Sequence, residues 1–520
     1  MTGLPTDIVS LAEMEADSEP LADEWPVQDD AFLRFSRGAY RVFAEAVATA
    51  DGPARDVFLA DLRMTEVLVQ AFHAAAVERA CALQQTQLRI GPLASAFYRP
   101  DWTLIGEQHE RTLSAGKRVR FARLRQLRRY LASNRQMPAR ALLAALLRGR
   151  AIWALGTPGP LLAEWALRNR EPFVVPILGR MRGNADPAWL RQLGTAVDQA
   201  VDGVRVLASE FTDAEIDHAA AKNAWRRRLA TLAAMYAGAR ALRAPRTVLV
   251  SGAGNPFHRL AALAARRGGA RIVSAQHGHN AGHVDADIIC YNDYAICDVF
   301  VCETAGAAEV ARRRSEIIAV PPGRAIEFQS LPSSAVARRW QARAALPRGA
   351  TKTVMVMGFA HSGRRTHTDV AYLSYPRAVL ERRIGKLLRA DGYRVIYKAH
   401  PEFASVTRGP LGSHFHEFLS EPFGKSAGRA DVLVFTYPLT TAFAEALLTD
   451  AGIVMLDFEG QEWSPHERES LERRVAMVPA KVERGVRLSF RPEDLRQAIA
   501  RAPTLKDPDY VRRFMLPDGA

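Results

Sequence analysis

Cysteine is scarce: Cys81, Cys290, Cys297 and Cys302 are the only four in 520 residues. Their spacing fits neither a C-x-x-C zinc pattern nor a disulfide framework, and agrees with a reducing compartment. Long apolar runs are also missing. Apolar residues make up 48% of the chain, but arginine interrupts every Ala- and Leu-rich stretch before it reaches the roughly 20 residues that span a bilayer. Residues 1–30 carry nine acidic side chains and no Lys or Arg, so no positively charged start leads into an apolar h-region. No secretory signal is read there, and the expected location is the cytoplasm. No repeat of short period is present.

What is present is length and positive charge. At 520 residues the chain exceeds one core and suits two or three domains. A formal charge of +14 and a pI near 9.9 call for an anionic partner: a nucleotide-sugar, an acidic glycan, an anionic lipid or nucleic acid.

Along the chain, residues 1–30 read as a mobile acidic tail. Residues 31–147 show apolar positions at helical spacing and few strand signals. Within them 117–129, KRVRFARLRQLRR, sets an apolar stripe (Phe121, Leu124, Leu127, Leu131) against arginines on other faces. Such a helix can rest on an anionic membrane surface through 117–131, or be an ordinary solvated basic helix. From 148 to 324 short apolar runs alternate with helical stretches, as in an α/β domain, with a helical insertion at about 181–244. Strands are expected at 151–155, 173–178, 247–250, 271–275, 294–302 and 317–320. A linker at 325–350 leads to a second α/β domain, 351–505, and 506–520 reads as a segment crossing back to the first.

Residues 430–459, ADVLVFTYPLTTAFAEALLTDAGIVMLDFE, read as strand, loop, helix and strand of a parallel sheet. The loop lies at the carboxyl edge, where open α/β sheets bind ligands. Helix N–H groups and the hydroxyls of Thr436, Thr440 and Thr441 suit a phosphate there, and Glu445, one turn on, suits a ribose hydroxyl. The plainer alternative is a helix capped by threonine with a solvated glutamate. The stretch 393–400, YRVIYKAH, is a further strand ended by Pro401, with Lys398 and His400 on one side. They suit an anion, or are a strand-end cation and a structural histidine. QHGHNAGHVDAD, 276–287, follows the strand 271–275. Its three histidines and two aspartates match no defensible zinc spacing, so the loop reads as a substrate rim in which a histidine or carboxylate acts as general base. GFAHSGRRTHTD, 358–369, supplies His361 and Arg364 to an anionic ligand. SGAGNPFHR, 251–259, lacks the third glycine and following acid of a dinucleotide loop, which argues against NAD.

Gln276-His277-Gly278 after a strand, Lys398-Ala399-His400-Pro401-Glu402, and the 436–445 loop and helix start together resemble bacterial surface-carbohydrate transferases of the GT-B architecture, in particular the Kdo and sialic-acid (CMP-sugar) group. The resemblance covers roughly 151–516. It implies two Rossmann-like domains facing a cleft, beside the helical N-terminal region. In that group a His-Pro motif and a hydroxyl-rich loop hold the CMP of an activated acidic sugar. Taken with the residue readings above, the expected nucleotide-binding residues are Lys398, His400, Pro401, Thr436, Thr440, Thr441 and Glu445; Gln276, Gly278, His279, His361 and Arg364 are expected to bind substrate; and His277 and Asp285 are the catalytic candidates. This chain has threonines where the group has serines, and shows no clear acidic-acidic-glycine motif for the base. The partners implied are a nucleotide-sugar donor and a glycan or glycolipid acceptor, with no nucleic acid, metal or cofactor. The expected product is a capsule or lipopolysaccharide glycan, made in the cytoplasm or on the inner face of the membrane. A UDP-sugar epimerase or a CDP-glycerol-type polymer transferase shares the architecture, and a non-catalytic anion-binding protein would explain the charge.

Overall fold

Runs such as TVLV at 247–250, VFVC at 299–302 and VLVF at 432–435 suit strands buried on both faces, the condition found in parallel sheets. The computed structural model describes residues 4–13, 26–27, 29–115, 134, 137–139, 142–143, 152–156, 159–176, 181, 183–252, 254–275, 287–320, 324–343, 351–361, 374–459, 463, 465–483 and 487–516. In it these runs build two sheets, and the protein is α/β. Its strands in chain order are β1 Leu4–Pro5, β2 Leu88–Arg89, β3 Ile152–Leu155, β4 Phe173–Val174, β5 Thr247–Ser251, β6 Arg271–Ala275, β7 Val299–Cys302 and β8 Glu327–Ser330. They continue as β9 Thr353–Met357, β10 Arg394–Lys398, β11 Glu417–Leu419, β12 Val432–Phe435, β13 Gly452–Phe458, β14 Ala476–Glu483 and β15 Arg487–Phe490.

The first sheet runs β4-β3-β5-β6-β7-β8, all parallel. The second runs β11-β10-β9-β12-β13-β14-β15, parallel except for the β14–β15 pair. In each, strand order reverses once, between β3 and β5 and between β9 and β12. Such switch points open a crevice at the carboxyl ends of the strands, because the loops on either side leave in opposite directions.

The N-terminal helices and the insertion form one layer. Asp29–Thr49 packs on Pro187–Ser209, and Trp102–Ala115 on His218–Arg240. Pro187–Ser209 starts at a side-chain cap, Asp186, with proline at its first position, and buries Leu193, Ala196, Val197, Ala200, Val201 and Val204 at helical spacing. A buried ion cluster ties the layer together: Arg228 holds Asp61 through two hydrogen bonds of 2.9 and 2.6 Å, and the His109 ring lies 3.2 Å from the same carboxylate.

Three expectations change. Residues 4–12 are not a mobile tail: β1 pairs with β2, and Ile8–Ala12 is a helix packed on Ala404–Gly412 of the second domain. Asp7 caps it, Ile8 and Leu11 are buried on it, and Leu4 of β1 is buried beside them. Residues 317–320 form no strand; the sixth strand of the first sheet is β8, so that domain runs past 324. Of 294–302 only Val299–Cys302 is strand, since Asp287–Tyr294 is helical.

The helix Asp509–Phe514 does return to the first domain. Thr304 donates to the Arg513 carbonyl at 2.6 Å, Tyr510 and Phe514 share a core with Val310 and Val336, and a Cβ on Gly306 would fall 2.6 Å from the Arg513 oxygen. Arg313 of the first domain also pairs with buried Glu467 of the second. Among the described residues no helix is long and apolar enough to cross a membrane.

Candidate functional site

The second sheet's switch point brings three sequence motifs to one edge. Met357 is in register with Lys398 on one side and Phe435 on the other, so the three strands end level. The following segments, 358–361, 399–401 and 436–440, are therefore neighbours. Gly358 donates its N–H to the Lys398 carbonyl at 2.9 Å, and a Cβ there would lie 2.3 Å from the Tyr397 hydroxyl. Only glycine lets these strand ends approach so closely. The Phe359 and Tyr437 rings meet edge to face at 4.8 Å, joining the first loop to the third.

Within this edge Lys398 is buried, and its ammonium donates to the Ala399 carbonyl at 2.7 Å. Burial pushes its pKa down, with Glu421 opposing. His400 is half-buried, its ring against Phe403 at 5.4 Å, and Pro401 opens a short 3₁₀ turn. Thr436 is fully buried and its hydroxyl has no hydrogen-bond partner among the described residues. Thr440 caps Thr441–Leu447 by accepting from the Ala442 N–H, and Thr441 is exposed. Glu445 is paired with Arg339 at 2.7 Å, so its carboxylate already has a cationic partner.

No family model and no curated protein matches this chain.

His361 differs from a solvent-facing donor: it is fully buried, with its ring 3.1 Å from Glu381. Glu381 is the centre of a buried set that motif reading missed. Its carboxylate accepts from the Phe359 N–H at 2.7 Å and from the Tyr397 hydroxyl at 2.8 Å. Burial, then the Glu381 charge, holds the Tyr397 pKa well above the usual phenol range. From the same helix, Ser374–Ala390, Arg377 donates to the Thr436 carbonyl and lies 4.8 Å from the centre of the Phe458 ring. The signal was available: Arg377, Glu381, Ile384 and Leu388 share one helix face, so two charges interrupt an apolar stripe. Charges in such a place must be paired, and here they brace the loops of the edge.

The other candidates, Gln276, His277, Gly278, His279, Asp285 and Arg364, and the basic stretch 117–131, lie outside the described residues. Residues 276–286 follow β6, a central strand of the first sheet, in the sequence. That sheet's switch point lies one strand away, between the segments after β3 and β5, where a Cβ on Gly159 would meet the Ser251 hydroxyl at 3.7 Å.

Proposed function

We propose that this chain is a GT-B-type glycosyltransferase that uses a nucleotide-sugar donor, bound at the switch point between β9 and β12. The observation that carries the reading is the level ending of β10, β9 and β12, which puts buried Lys398, half-buried His400 and the buried Thr436 hydroxyl, without a partner among the described residues, along one carboxyl edge of a parallel sheet. The return of Asp509–Phe514 to the first domain supports a two-domain enzyme working as a unit. A donor phosphate entering this edge meets the Lys398 ammonium and restores the favourable charge that burial has weakened. Thr436 gains a partner, and His400 adds a further donor. Glu445 reaches a ribose by exchanging its Arg339 pair, which is partly exposed and worth about 0–1 kcal/mol.

In the reaction the bond between the sugar and the donor phosphate breaks while the acceptor oxygen bonds to the sugar carbon. Lys398, His400 and the 436–441 hydroxyls stabilise the charge that grows on the departing phosphate. The acceptor hydroxyl loses its proton to His277 or Asp285, with Gln276, Gly278, His279 and Arg364 as substrate contacts. The resemblance favours a CMP-activated acidic sugar such as Kdo or a nonulosonate, added to a capsule- or lipopolysaccharide-type glycan, with 117–131 resting on the cytoplasmic face of the inner membrane.

Thermal stabilisation by CMP, CDP, UDP and GDP tests this, because a ligand of the folded state raises apparent stability by mass action. CMP is expected to stabilise the native protein, His400→Ala to abolish the shift, and Thr436→Val to reduce it. Thr436→Val removes a hydroxyl that has no partner among the described residues, so the variant is expected to keep the native melting temperature without nucleotide, and a smaller shift then reports binding. A response to UDP alone transfers the reading to a UDP-sugar enzyme. No response to any of the four removes it.

A further inference from the structure

A half-open pocket of about 630 Å³ lies where β13, β14 and β15 meet, beside the switch point but lined by other residues. Its volume is within the roughly 300–1,000 Å³ of small-molecule sites. The antiparallel β14–β15 pair builds one wall: Lys481 is opposite Ser489 and Glu483 opposite Arg487, so all four line one face. Asp457 and Glu459, at the carboxyl end of β13, form the next wall.

The lining chemistry selects a ligand class. Five basic and four acidic side chains surround the space, and most of the charge is already paired. Lys481 lies 2.8 Å from Glu483, Arg468 pairs with Asp457, and Arg491 stands 3.9 Å from Asp494. A phosphate or nucleotide entering here would meet four carboxylates with little surplus cation to offset them. A guanidinium has five N–H donors and a carboxylate about four lone-pair sites, so paired groups of both kinds keep hydrogen-bonding capacity. A sugar hydroxyl donates and accepts at once and matches such a lining. The Phe490 ring adds an apolar surface, with the Arg383 guanidinium 5.9 Å from its centre, and this suits the C–H face of a pyranose. Asp457 is held in place by the Trp463 indole N–H at 2.6 Å.

We propose that this pocket is a carbohydrate-binding subsite, recognising uncharged sugar rings through their hydroxyls. The assignment stands on the lining and is independent of the nucleotide reading. The two sites touch through Arg377, which donates to the Thr436 carbonyl and lies against Phe458, a residue of the pocket wall. A glycan held here therefore sits next to the edge assigned above to the donor.

The test is binding of the full chain to a microarray of defined neutral, sialylated and Kdo-bearing oligosaccharides, followed by calorimetry with the best-retained one. The comparison is a Glu459→Ala/Arg491→Ala double variant, since both side chains are exposed and their loss leaves the fold intact. Retention of a neutral oligosaccharide, with affinity falling at least tenfold in the double variant, is expected. No retained oligosaccharide, retention that the double variant leaves unchanged, or displacement by inorganic phosphate overturns the proposal. Glycan binding without any nucleotide-induced stabilisation would sustain this subsite and remove the transferase reading; the reverse pattern would do the opposite.

Discussion

Replacing Glu381 by alanine should open the loops at the second sheet's carboxyl edge without unfolding the sheet behind them. The carboxylate accepts from the Phe359 N–H and the Tyr397 hydroxyl and faces the His361 ring, and these residues are buried. Truncation leaves the Phe359 donor without its carboxylate, at a cost of about 1–3 kcal/mol for a buried group, and hydrogen bonds to a charged acceptor lie at the upper end of that range. A loss of about 2–3 kcal/mol from local opening corresponds to roughly 30- to 150-fold faster amide exchange in the loop. Hydrogen exchange read by mass spectrometry on a peptide containing 358–361 measures this, with a peptide from β13 as internal reference. Glu381→Gln keeps one carbonyl acceptor and should accelerate exchange less than the alanine variant. An acceleration below threefold in the loop would refute the bracing role. So would an equal acceleration in β13, since that reports global loss of stability.

Two further outcomes follow from buried groups elsewhere. Asp7 accepts from the Val9, Ser10, Leu93 and Ala94 N–H groups, and a Cβ on Gly91 would fall 1.9 Å from its Oδ1. Asp7→Ala and Gly91→Ala should each lower the melting temperature, and the double variant should lose less than the sum, because truncating Asp7 removes the atom that the new methyl strikes. Additive losses would sink that geometry. Burial, partly offset by Arg314 and Arg259, raises the Asp293 carboxyl to about 8. The folded state thus holds a proton that the unfolded chain releases near pH 4, so this group's contribution falls as pH rises from about 4 to 8. Asp293→Asn should flatten the melting temperature across that interval relative to the native protein; parallel profiles would contradict the assignment.

Much of the architecture is carried by local pattern. TVLV, VFVC and VLVF are strand-forming in any setting that buries both faces, and the cap and proline at 186–187 start a helix by themselves. In residues 1–30 nine acids and no basic residue give the composition of a tail. Yet Ile8 and Leu11 at helical spacing, with Asp7 and Ser10 as a capping box, mark an ordered helix start. Weak strands such as EFQS at 327–330 have no such pattern, because they lie at a sheet's end with only partial burial.

The sequence by itself determined the α/β class, the central strands of both sheets, and the residue types at the second sheet's edge, since each depends on neighbours within a few positions. Only the tertiary structure decided that Met357, Lys398 and Phe435 end level, that Glu381 and Arg377 brace their loops, and that Glu445 has Arg339 as its partner. Those are contacts between segments tens of residues apart. They are selected by strand order and by the need to pair every buried charge, which no local window of sequence contains.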